Sequence, residues 1–128
     1  MTVITRRRFA GLASGLLAVC VLPARALADK ASATIKGPAS ASKGQEVALE
    51  VTFIHNSNSS GHFVEWAKVM VNGKEVARWD FSPVNLPEGP TFTRQVKVLV
   101  EGDLEISAQA NCNRHGSKGP VVMKLKAV

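Results

Sequence analysis

Between Val47 and Phe53 the chain alternates strictly, with Val47, Leu49, Val51 and Phe53 falling on one side and Glu50 and Thr52 on the other. A period of two puts those four apolar side chains on one face of an extended strand, whereas a helix would scatter them around its axis. The same period returns at Phe92, Val96, Val98 and Val100, at Leu104, Ile106 and Ala108, and at Val121, Met123 and Leu125, all three of which are expected to face inward. β-Branched and aromatic residues fill Phe63 to Val71, and Asn72-Gly73 is the preferred pair for a type I′ hairpin turn. The return strand runs from Glu75 to Phe81 and leads into the proline-rich stretch Ser82 to Pro90. Gly102-Asp103 reads as another tight turn, and the Ala/Ser-rich Pro38 to Ser42 reads as a linker. No stretch beyond residue 28 carries a helical period, and turn signals recur often. The expected fold is therefore an all-β antiparallel sandwich of about seven strands.

Residues 1–28 are expected to stand apart from that domain. Thr5-Arg6-Arg7-Arg8-Phe9 precedes an apolar run from Gly11 to Leu22, and Ala26-Leu27-Ala28 offers the small residues a signal peptidase accepts. The run is too short for a membrane span, which needs ~20 residues, and Pro23 and Arg25 interrupt it. The segment reads as a twin-arginine-type signal peptide, which places the mature domain, residues 29–128, in the periplasm with no membrane anchor. It also carries four arginines and no acid, so the formal charge of +6 belongs mostly to it. What remains is nearly balanced and lacks a basic patch interleaved with aromatics, which argues against nucleic-acid binding.

Cleavage discards Cys20 and leaves Cys112 alone. A single thiol in an oxidising compartment is prone to sulfenic acid or to pairing between molecules unless it is buried or bound to a metal. All three histidines, His55, His62 and His115, fall at expected junctions of strand and loop, and Cys112 stands three residues before His115. Two intervening residues let a thiolate and an imidazole reach one ion, while Gly116 lets the backbone reverse. The four residues are read as one mononuclear metal site. Imidazoles with a thiolate suit iron, copper or zinc and disfavour the oxygen-seeking magnesium and calcium.

The order His55, then Gly61-His62-Phe63-Val64-Glu65-Trp66, then Asn72-Gly73, then Cys112-Asn113-Arg114-His115-Gly116 resembles the desulfoferrodoxin and neelaredoxin superoxide reductases. The resemblance implies an immunoglobulin-like sandwich and mononuclear non-haem iron with imidazoles around it and one thiolate on its axis. It implies one-electron reduction of superoxide to hydrogen peroxide, with His55, His62 and His115 as imidazole ligands and Cys112 as the thiolate. Lys30 matches the lysine that attracts superoxide and helps supply protons. A further family histidine has no counterpart, because Ala31 stands in its place. The loop between His55 and His62 is one residue longer than expected, and no aromatic residue follows Gly116. The electron donor and the oligomeric state are left open.

Two other classes share part of this pattern. A cupredoxin would also pair a histidine after an early strand with a late Cys-x-x-His, but its axial methionine should follow His115 closely, and the next methionine is Met123. A sulfur-oxidation carrier subunit shares the exported sandwich, but its cysteine would sit on a glycine-rich tail. Trp66 and Trp79 read as core or wall residues, and Glu65 as a strand residue that could also orient a ligand histidine.

Overall fold

The computed structural model describes residues 30–128, so the signal-peptide reading of residues 1–28, with Asp29, lies outside the described residues. Eight strands follow in chain order: β1 (Ser32–Lys36), β2 (Ser40–Ala41), β3 (Glu46–Ile54), β4 (Val64–Val71), β5 (Lys74–Asp80), β6 (Thr91–Leu99), β7 (Leu104–Cys112) and β8 (Val121–Ala127). They form two sheets, β1-β3-β6 and β2-β8-β7-β4-β5, which make an immunoglobulin-like sandwich. No described helix is long and apolar enough to cross a membrane.

Alternation sets the core, as the sequence period requires. Val47, Leu49, Val51 and Phe53 of β3 are all buried, and across the layer so are Leu104, Ile106, Ala108, Ala110 and Cys112 of β7. At roughly 1.5–3 kcal/mol for each fully buried large apolar side chain, this face dominates the folding free energy. Phe53 anchors an aromatic group between the sheets, with ring centroids 5.3 Å from Phe92 and 5.8 Å from Trp79. The hairpin between β4 and β5 turns at Asn72 (φ 50°) and Gly73 (φ 81°), the two left-handed residues that a type I′ turn demands.

One expectation changes. The Ala/Ser-rich linker contains β2, which pairs parallel to β8 through Ser40 with Lys126 and Ala41 with Ala127. The eighth strand and the one parallel strand pair among the described residues are thus both this two-residue element, too short to leave a period in sequence. Val121, Met123 and Leu125 all face the core as expected, Leu125 buried and the other two half-buried against it. Three strands cannot roof five, so the flanking strands β8 and β5 keep part of their inner faces near solvent.

The topology gathers several chain segments at one end. β3 ends at Ile54 beside Ser32 and Thr91, which begin β1 and β6, and β7 ends at Cys112 beside Val64, which begins β4. His55, His62 and the Cys112–His115 loop therefore share an end of the sandwich.

Candidate metal centre

His55 follows the last residue of β3 directly. Its amide donates to the Pro90 carbonyl at 2.7 Å, which continues the β3–β6 ladder by one step and turns the imidazole inward. The residue is 1% exposed, and among the described side chains only its Nε2 is a buried polar atom with no hydrogen-bond partner. Nδ1 has one, Asn58 Oδ1 at 3.3 Å.

His62 comes from the opposite layer, two residues before β4. A small turn holds it, in which Ser59 and His62 exchange backbone hydrogen bonds of 2.8 and 3.2 Å. Its ring lies edge-on to that of His55, with centroids 4.8 Å apart, and equally close to that of His115.

Cys112 closes β7 and is 1% exposed. It exchanges backbone hydrogen bonds with Gly116 at 2.8 and 3.0 Å, a reversal that Gly116 permits by adopting φ 79°. Inside this loop the amides of Arg114 and His115 both donate to Sγ at 3.4 Å. Backbone donors converging on sulfur suit a thiolate, the form that binds metals. Asn113 ties the loop to its neighbour: its Oδ1 accepts from the Phe63 amide at 3.0 Å and its Nδ2 donates to the Gly61 carbonyl at 3.3 Å.

One donor atom each from His55, His62 and Cys112 lies within 4.8 Å of the others, the separation at which three groups can share an ion. His115 belongs to the cluster less tightly. It is exposed, with Nδ1 3.0 Å from His62 Nε2 and 3.9 Å from Cys112 Sγ, and it is not part of the mutually close trio. The fit to a metal rests on two things: the donor set is imidazole and thiolate, and the buried Nε2 of His55 has nothing else to satisfy it. Leaving such an atom unpaired costs about 1–3 kcal/mol.

Lys30 is half-buried and lies at this end, next to Ala31. Ala31 is fully buried, and its backbone bonds the Cys112 loop on both sides, to the Gly116 carbonyl at 3.3 Å and from the Lys118 amide at 2.9 Å. No imidazole can come from that position. Arg114 is exposed and pinned by Nε to the Gly61 carbonyl at 2.7 Å.

Glu65 does not orient a histidine; its Oε1 accepts from Asn111 Nδ2 at 2.6 Å, behind the cysteine loop. Trp66 lies between cations on the outer face, 5.1 Å from Lys68 Nζ and 5.4 Å from Arg78 Cζ, whereas Trp79 packs on the core. Met123 packs over Gly37, its Sδ 3.7 Å from where a Cβ would stand, and Met70 pairs with Ser107 well inside β7, so neither supplies a thioether to the cluster. The sequence reading missed Asn58, because an asparagine in a polar Asn/Ser loop looks like any other turn residue.

The desulfoferrodoxin family pattern matches residues 24–117. Among solved structures, a superoxide reductase (neelaredoxin) from Ignicoccus hospitalis is similar at 19% identity with a TM-score of 0.60, covering 77% of this chain and 82% of its own. A superoxide reductase candidate from Thermotoga maritima is similar at 24% identity and a TM-score of 0.55, over 76% and 86% of the two chains. A CARDB domain from Pyrococcus furiosus, solved with two metal ions, aligns at 18% identity and a TM-score of 0.56, over 77% and 87%. No curated protein matches the chain. The structural likenesses are likenesses of fold, while the family pattern spans most of the sequence including His55, His62, Cys112 and His115. By that pattern the chain belongs to the desulfoferrodoxin family.

Proposed function

We propose that this chain is a periplasmic mononuclear non-haem iron protein that reduces superoxide to hydrogen peroxide, with His55, His62, His115 and Cys112 holding the iron. The observation that carries the reading is the partnerless, buried Nε2 of His55 inside a cluster of histidine and cysteine donors. Family membership supports the choice of iron. Iron held there would supply the one-electron chemistry, and the net reaction consumes one electron and two protons for each superoxide.

The chain's own residues have separable tasks. The Arg114 and His115 amides both donate to the Cys112 sulfur and fix its position, and a metal-bound thiolate there would enrich the electron density of the metal. Burial keeps Cys112 from oxidants. Lys30, Arg114 and Lys118 give this end a positive field that draws a small anion and raises its encounter rate.

A second reading, an electron carrier that binds metal without reducing superoxide, is favoured by Ala31, which offers no imidazole where the family has one. One experiment separates the two. Protein loaded anaerobically with ferrous iron and then oxidised is expected to show a visible thiolate-to-iron charge-transfer band that Cys112→Ala lacks, and stopped-flow mixing with superoxide is expected to yield hydrogen peroxide. A colourless, iron-free product sinks both readings, and a coloured protein that leaves superoxide untouched leaves the carrier.

A further inference from the structure

Asn58 lies within the loop between β3 and β4, and its amide has three partners. Oδ1 accepts the Val64 N–H at 2.9 Å, and Nδ2 donates to the Gly89 carbonyl at 2.9 Å. Flipping the amide would set donor against donor at Val64 and acceptor against acceptor at Gly89, so chemistry fixes which atom is oxygen. That same Oδ1 lies 3.3 Å from Nδ1 of His55. An amide oxygen can only accept, so Nδ1 is the donor, and a neutral ring with its hydrogen there has its lone pair on Nε2. This Nε2 is the buried atom that lacks a partner.

We infer that Asn58 is a positioning residue which locks His55 in the Nδ1–H tautomer, so that the buried Nε2 lone pair faces the His62 and Cys112 donors ready for a metal ion. The inference rests on the metal-binding reading above, but the tautomer itself can be observed without metal. The amide also couples the ring to the connection between β5 and β6. Gly89 receives Nδ2, Pro90 receives the His55 amide, and Glu88 grips Arg94 of β6 through contacts of 2.7 and 2.9 Å. Gly89 and Pro90 of that connection thus brace the imidazole from behind, and Glu88 ties the connection to β6. Ligand histidines generally take their orientation from such a partner on the far ring nitrogen, and losing it typically weakens metal binding by about 10- to 100-fold.

The test uses the metal-free protein, Asn58→Leu and Asn58→Asp, with His55 read by long-range 15N correlation spectra and ferrous iron affinity read by anaerobic chelator competition. Wild type is expected to show the Nδ1–H tautomer of His55. Asn58→Leu is expected to lose it and to bind iron about 10- to 100-fold more weakly. Asn58→Asp, which keeps the acceptor but not the donor to Gly89, is expected to retain the tautomer and to bind iron more tightly than the leucine variant. A wild-type ring protonated on Nε2 overturns the inference whether or not the variants fold. So does a folded leucine variant with wild-type tautomer and affinity. If wild type carries the Nδ1–H tautomer, the leucine variant loses it, and neither takes up iron, the metal reading falls while the tautomer lock stands.

Discussion

Replacing His55 with leucine is expected to stabilise the metal-free protein while abolishing its metal binding. Leucine has nearly the volume of histidine and suits a slot that is 1% exposed. The substitution removes an unpaired buried nitrogen, which costs about 1–3 kcal/mol, and forfeits the hydrogen bond to Asn58, which contributes about 0.5–1.5 kcal/mol. Asn58 Oδ1 keeps the Val64 amide, so no new orphan replaces the old one. At the middle of each range the difference favours leucine by about 1 kcal/mol, a rise in Tm of roughly 4–8 °C for a domain of this size. Iron should reverse the order. At a free concentration 100 times its Kd it stabilises wild type by about 2.7 kcal/mol and leaves the variant unchanged. Thermal melts of both proteins in chelator and in anaerobic ferrous iron give the four values needed. A chelated variant that melts below chelated wild type would refute the claim that the site is built at a cost to the apo fold.

Three further outcomes are expected. Ala31→His, in a buried position stitched to the Cys112 loop, is expected to raise the rate of superoxide reduction measured by stopped flow, and unchanged turnover with iron retained would mean that position 31 does not correspond to the family histidine. The hydrogen bonds from Arg94 push the Glu88 carboxyl down to about 2 from an ordinary 4.5, so its stabilisation is complete above about pH 4.5 and disappears as pH falls toward 2. Because the pair is solvated, Glu88→Gln should lower stability by only about 0.2–1 kcal/mol at pH 7; denaturant melts that differ equally at pH 7 and pH 2 contradict this cause. Changing Arg6 and Arg7 together to lysine is expected to hold the protein in the cytoplasm, and unaltered export on fractionation removes the twin-arginine reading.

The fold was legible where burial is one-sided. The period of two in Val47 to Phe53 and Leu104 to Ala108 survives in sequence because one face of each strand meets the core. The Asn72-Gly73 turn was legible because few residues other than this pair tolerate two left-handed conformations in succession. β2 was not, since two residues make no period and its hydrogen bonds come from β8, some 86 residues downstream. At the histidine-cysteine end, the residue types pointed to the candidate ligands, but not to their inequality. Nothing local to His55 and His115 foretells that one is sealed and the other exposed, because that difference arises from which loops cover them. Asn58 was silent for a similar reason, as its meaning lies in Val64 and Gly89 and not in its own neighbours.

His55 hangs from the three-stranded layer, while His62 and Cys112 belong to the five-stranded one. An ion gripped by all three would rivet the two layers together at a single edge of the molecule. Withdrawing it should let that edge gape while the Asn72-Gly73 and Gly102-Asp103 turns at the far end stay shut. Amide hydrogen exchange would then quicken in a gradient along β3 and β7, steepest beside His55 and Cys112.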